Sequence, residues 1–370
     1  MAGPVRPESG PVGRVSDMDA FRRFRETRWW VLLVRPLLFV AASLLIGRLL
    51  VSLVGSVDWH QVVTALGRLE WAQAPLLLAL LLARQAFNSV PLAVFIPGLG
   101  LWRGFQNDLT ANLVGTVAPP PGDVLVRVSM FRSWGILPVD GMPGVTLNSL
   151  AFYVIRFGIP IVGVLLLIGE DLSATQIWLS VLSLAFAAVI VVTLILVARG
   201  ERVARLVGRR AALVAVRFRE GVDADTWAEA VTDFRERMST RLVRGLPPSL
   251  VALAAMVVTD GVIVLVSLRL VGVGSSALPL ALVLGSFFVA YPLTSLPLAG
   301  LGVLDAALVV AFTESAGVAA EPEIVAALVV WRVVTLIGTL VLGALMFGWW
   351  HWRTRRGKLA SPDAPSPDVA

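Results

Sequence analysis

The segment 291-YPLTSLPLAGLGVLD-305 interrupts an apolar run over residues 277–318, and 117-VAPPPGDVLVR-127 interrupts another over residues 105–131. Proline has no amide to give a helix and glycine loosens it, so each run reads as two short helices meeting at a break. In lipid a freed backbone group finds no water. A broken helix is tolerated there only where it is buried in protein or lines a wet cavity, so two such breaks point to a site.

Six further apolar runs lie near residues 36–55, 74–97, 144–169, 174–198, 249–273 and 324–350. Each is close to the ~20 residues that cross a ~30 Å hydrocarbon core. The expected fold is therefore an all-α polytopic membrane protein of eight apolar segments, six full spans plus two broken or re-entrant helical hairpins. A hydrophobic fraction of 57 % against 15 % charged residues, with a mean hydropathy of +0.83, excludes a soluble enzyme. The first run starts near Pro36, behind a polar segment that lacks a small-residue cleavage site, and reads as a retained helix.

The absence of cysteine excludes disulfides, Cys-ligated zinc and Cys nucleophiles. The two histidines, His60 and His351, fall at edges of apolar runs and read as interfacial, so no metal and no cofactor is expected. The net charge of +6 comes almost entirely from arginine, without a basic stripe carrying interleaved aromatics, so no nucleic-acid partner is expected.

Arginine placement sets the orientation. Arg14, Arg22, Arg23, Arg25, Arg28 and Arg35 precede the first span, and Arg353, Arg355, Arg356 and Lys358 follow the last, which puts both termini in the cytoplasm of a bacterial-type inner membrane. The organisation expected is a disordered tail at 1–20, a first membrane repeat at 21–198, a cytoplasmic linker at 199–247, a second repeat at 248–350 and a basic, disordered tail at 351–370. Within the linker, Trp227, Val231, Phe234, Met238 and Leu242 recur at helical spacing behind a Thr226-x-x-Glu229 capping box, among Arg235, Arg237, Arg241 and Arg244. Such a basic amphipathic helix either recognises anionic lipid heads or simply lies on the inner surface as a linker.

The two breaks align. Placing Pro119 over Pro297 brings Gly122 onto Gly300, and eight residues beyond each proline stand Arg127 and Asp305. Upstream, in the span before each hairpin, stand Arg84 and Asp260; downstream, in the span after it, stand Arg156 and Arg332. The odd span number reverses the second set, so the pattern is an inverted-topology repeat. Six charges at mid-membrane would cost about 15 to 21 kcal/mol facing lipid, more than a typical folding stability of about 5 to 15 kcal/mol. They must pair or face a polar interior. Arg84, Arg127, Asp260 and Asp305 can pair between the halves, with Arg127 opposite Asp305. Arg156 and Arg332 then have no acid assigned and call for an anion. Short helices starting after Gly122 and Gly302 would add their N-terminal amides, for which phosphate is the natural guest.

The residues around the breaks also resemble a known family. Asn112 followed by APPPGDVLVR (118–127), and LPLAGLGVLDAAL (296–308) followed by Arg332, are similar to motifs of the flippase-like transmembrane domain of lysylphosphatidylglycerol synthases, over roughly residues 30–350. Asp305 stands where that family usually has Glu, Ala299 where Gly is common, and Asn148 near a frequent acid. Synthase members carry a cytosolic aminoacyl-transfer domain for which this chain has no room. The resemblance implies a stand-alone member that binds or moves a lipid without modifying it.

The function expected is therefore binding and translocation of an anionic lipid, a phospholipid or a polyprenyl-phosphate carrier. Its binding residues would be Arg84, Arg127, Arg156, Arg332, Asn112, Gly122, Gly300 and Gly302, with Asp260, Asp305 and Asp123 in charge-pair or gating roles and no catalytic residue. Two other readings stand beside it. An integral membrane transferase would need an outer acid or base, for which Asp58 and Glu70 in a short loop are the candidates; a scaffold would recruit an envelope-biosynthesis enzyme through the 199–245 segment.

Overall fold

A computed structural model describes residues 59–118, 121–169, 174–199 and 224–359. Every regular element among them is helical. A short helix, α1 (Trp59–Leu66), and a 3-10 turn (Trp71–Gln73) lead into α2 (Ala74–Phe95). The first broken segment follows as α3 (Gly100–Val117) and α4 (Gly122–Ser133). Then come α5 (Pro138–Gly158), α6 (Pro160–Leu166) and α7 (Ala174–Arg199). The long α8 (Ala224–Leu270) precedes the second broken segment. That segment comprises α9 (Leu280–Ala290), a 3-10 turn (Tyr291–Ser295), α10 (Pro297–Gly300) and α11 (Val303–Ala316). The chain closes through α12 (Glu321–Arg332), a π turn (Val333–Ile337) and α13 (Gly338–Leu359).

Four stretches are long and apolar enough to cross a bilayer: Trp71–Phe95, Pro138–Leu166, Arg244–Leu270 and Val318–Arg355. Large apolar side chains such as Leu165, Leu182, Val189 and Val251 stand exposed on the helices, an outer surface suited to lipid rather than water. These are the marks of a membrane protein. The expected first span at 36–55, the N-terminal tail, residues 360–370 of the C-terminal tail and residues 200–223 of the linker lie outside the described residues, while residues 351–359 of the expected tail continue α13 as helix.

Both breaks form where proline dictates. Ala118, before Pro119, and Leu296, before Pro297, are each extended, with ψ of 148° and 159°. A following proline disfavours the helical region for its predecessor, so each helix stops there. The second break continues through left-handed backbone at Ala299 (φ 55°), Gly300 (φ 70°) and Gly302 (φ 86°). A Cβ on Gly300 would collide with the Leu293 carbonyl, so glycine is required by space as well as by conformation.

The linker and second repeat expected to meet at residue 247 are joined by one helix, since α8 runs unbroken for 47 residues through Pro247 and Pro248. The basic amphipathic segment and the span after it are thus one helix from Ala224. Close packing supports this passage: a Cβ on Gly245 would press on Val94 and Phe95 of α2, the helix against which α8 packs most extensively. At the base of the first hairpin, Leu92, Ile96, Leu99, Phe131 and Ile136 form a buried apolar cluster that ties α2 to α4 and α5. This cluster fixes where the polar residues above it meet.

Candidate functional site

The polar residues of α2 to α5 converge on a cavity of about 680 Å³, closed on the other side by the second half of the chain. Arg84, Gln85 and Asn88 come from α2, Asp108 and Asn112 from α3, Asp123 and Arg127 from α4, and Asn148 and Arg156 from α5. Ala299 and Leu301 of the second break and Thr335 and Thr339 of α13 and its π turn complete the wall. The volume is within the ~300 to 1,000 Å³ typical of small-molecule sites. A π turn adds a residue to a helix locally, a feature frequent at functional sites; here it sits directly after Arg332 and brings Thr335 to the cavity.

Arg84 is held across the two halves. Its Nη2 donates to Asp260 Oδ2 at 3.1 Å and its Nη1 to Gln85 Oε1 at 3.2 Å. Asp260 is buried and also accepts from the Trp331 indole at 2.8 Å, while Gln85 donates to Thr339 at 2.7 Å. Here opposite charges at matching repeat positions do meet. The network joins α2, α8, α12 and α13, and it leaves Arg84 Nε buried without a partner.

The pairing expected between Arg127 and Asp305 does not occur. Arg127 Nη2 reaches Asp108 Oδ1 at 3.2 Å and Nη1 reaches Asn107 Oδ1 at 2.7 Å, both on α3. Asn88 donates to the other oxygen of Asp108 at 2.6 Å. The physical reason is local: a hairpin folds α4 back on α3, so a residue 19 positions earlier lies nearer than one in the other half. Asp108 was missed from the sequence, although the run Gln106-Asn107-Asp108 inside an apolar segment was the signal for it.

Arg332 also departs from expectation, because it has an acid. Its Nε and Nη2 grip the two oxygens of Asp305 at 2.7 and 3.0 Å, and its Nη1 donates to the Ala299 carbonyl at 3.2 Å. Its guanidinium also lies 4.3 Å from the Trp331 ring centroid. Asp305 in turn accepts from the Gly302 amide at 2.7 Å. The start of α11 is therefore capped by its own carboxylate, and the amide expected to meet a ligand is already used. Arg332, Gly300 and Gly302 are absent from the cavity wall, where their neighbours Ala299 and Leu301 stand.

Arg156 is the exception. It sits two residues from the end of α5 within the Pro138–Leu166 span and lines the cavity. Its side chain makes no hydrogen bond or ion pair among the described residues, and its Nε is buried without a partner. Phe152 and Tyr153 place their rings 4.4 and 5.5 Å from the guanidinium carbon, which favours the cation but uses none of its five N–H donors. The backbone adds to this polarity. Pro160, four residues on, has no amide for the Arg156 carbonyl.

Of the remaining expected residues, Asn112 and Asp123 line the cavity, and Gly122 opens α4 beside them. Asp123 has no hydrogen-bond or ion-pair partner among the described residues. No family model, curated protein or solved structure matches the chain.

Proposed function

We propose that this chain binds a phosphate-bearing lipid through Arg156 and carries its headgroup across a bacterial cytoplasmic membrane. The observation that carries the reading is one unpaired guanidinium in an apolar helix, facing a cavity large enough for a headgroup. An arginine inside a span costs several kcal/mol unless it is partnered, and every other arginine on this cavity has a carboxylate. The missing partner is an anion from outside the chain. In a helix surrounded by acyl chains, the phosphate of a lipid is the anion at hand.

Six spans around two re-entrant hairpins, related as an inverted repeat with both termini in the cytoplasm, give this reading its frame. The cavity draws residues from both halves, as sites at repeat interfaces of transporters do. The likeness of residues 118–127 and 296–308 to the flippase-like domain of lysylphosphatidylglycerol synthases supports the same reading. Arg84 and Arg127 flank the phosphate as fixed positive edges, their charges already balanced by Asp260 and Asp108.

The test is transbilayer movement in liposomes. Wild-type protein is expected to speed the exchange of a headgroup-labelled phospholipid between leaflets, and Arg156→Gln to reduce that rate at least tenfold while the protein stays folded. Equal rates for the two proteins would end the proposal.

A further inference from the structure

The carboxylates in and behind the cavity wall have fixed partners, with one exception. Asp108 is held by Arg127 and Asn88, Asp260 by Arg84 and the Trp331 indole, and Asp305 by Arg332 and the Gly302 amide. Asp123, on the wall itself, makes no hydrogen bond or ion pair among the described residues. One anion and one cation, Asp123 of α4 and Arg156 of α5, are thus left unmatched around the same cavity. Their helices explain why they stand apart. The short turn 134–137 joins α4 to α5, and the two helices pack against each other. Asp123 lies ten residues before Ser133, about 15 Å by helix rise, and Arg156 eighteen residues beyond Pro138, about 27 Å. Arg156 therefore stands about 12 Å farther from that turn than Asp123 does.

The break that carries Asp123 is the less restrained of the two. In the second break Asp305 ties the Gly302 amide to Arg332, and Arg332 reaches back to the Ala299 carbonyl. In the first, Asp123 stands in the opening turn of α4 without such a clamp, and the tip rests on α3 through small residues. A Cβ on Gly122 would meet Ala118 and Val114, and one on Gly115 would meet the Asp123 Cβ at 3.4 Å. Contacts of this kind interlock little. Resting on the lipid-binding reading above, we infer that Asp123 is the internal stand-in for the lipid phosphate. When no lipid is held, the tip of the first hairpin shifts along α5 and brings the carboxylate to Arg156; an arriving phosphate displaces it. A lone charge within a span is costly, so pairing the two favours the shifted tip in the unloaded protein. Both residues are partly exposed, which keeps the pair weak enough for a phosphate to replace. The structure shows the open member of this two-state equilibrium, with Asp123 and Arg156 apart. In the closed member the cavity is neutral without cargo, and the unloaded protein can reset.

The chain has no cysteine, so a pair of spin labels can be placed without background. Leu125 of α4 and Ile161 of α6 are exposed and lie off the cavity wall. Labels at Leu125→Cys and Ile161→Cys report the position of the tip by pulsed electron paramagnetic resonance. Purified full-length protein stripped of lipid is expected to show a second, shorter distance that added phosphatidic acid removes. Asp123→Asn should lose that population and bind phosphatidic acid at least five times more tightly, having no competitor to displace, whereas Asp123→Glu should keep both wild-type behaviours. Tighter binding by Asp123→Asn with unchanged distances reduces Asp123 to simple repulsion and overturns the inference. A wild-type distance distribution that ignores phosphatidic acid while the lipid still binds overturns it as well. The lipid-binding reading stands in both cases, and falls if Arg156→Gln binds phosphatidic acid as the wild type does.

Discussion

Arg156 and Arg332 occupy corresponding places in the two halves, each in the helix that follows a broken segment, yet their surroundings are opposite. Arg332 is gripped by both oxygens of Asp305 and by the Ala299 carbonyl, so its charge is spent on holding the second break. Arg156 makes no hydrogen bond or ion pair among the described residues and faces two aromatic rings and an open cavity. The difference arises in the hairpins. The second carries its acid on α11, where Asp305 also caps the helix, whereas the first carries an arginine at that repeat position and spends its acid, Asp108, on it. Arg332 is thus closed by its own acid, while Arg156 has none among the described residues.

The strongest way to break this comparison is to remove the acid from the closed half. Asp305→Asn leaves Arg332 buried against a neutral partner and strips α11 of its charged cap. Loss of one member of a buried pair costs about 3 to 5 kcal/mol, which a chain of marginal stability feels as lost expression or a greatly lowered melting temperature. Arg127→Gln should act through a separate pair, so its effect and that of Asp305→Asn should add within about 0.5 kcal/mol. A large departure from additivity in thermal unfolding would mean that the two halves share this charge after all.

A smaller change sharpens the same contrast. Ala299 holds a left-handed conformation (φ 55°) while its carbonyl serves Arg332. A side chain pays about 1 to 3 kcal/mol for that backbone, part of which glycine returns in unfolded-state entropy. Ala299→Gly is expected to raise stability by about 1 kcal/mol, read as a modest rise in melting temperature. A fall would show that the second break is not strained at this position.

Much of the fold was legible in the sequence because lipid imposes simple rules. Apolar length marked α2 and α7 to within a few residues, whereas the run from Gly144 falls across α5 and α6, which begin at Pro138, and the run 324–350 falls across α12, the π turn and α13. The Pro119 and Pro297 alignment located two breaks with the same extended residue before each proline. Charge partners were legible only where the helices that carry them pack directly. Arg84 and Asp260 sit on α2 and α8, the most extensively packed pair, and they meet. Equal depth alone says nothing of lateral distance, so Arg127 found Asp108 across its own hairpin and Arg332 found Asp305 in its own half. The continuity of α8 was hidden for a related reason. Two prolines end a helix in water, but packing against α2 carries it through.

The central claim is that Arg332 serves the fold and Arg156 serves a ligand, and it is tested most directly by melting both glutamine variants with and without added phospholipid. A lipid at about one hundred times its Kd should stabilise a protein that binds it by about 2.7 kcal/mol. The account predicts that lipid-free Arg156→Gln melts at or above the wild-type temperature and gains nothing from lipid, while Arg332→Gln melts well below wild type yet is still stabilised by lipid. An Arg156→Gln protein that keeps the full lipid shift, or an Arg332→Gln protein that melts like wild type, would contradict it.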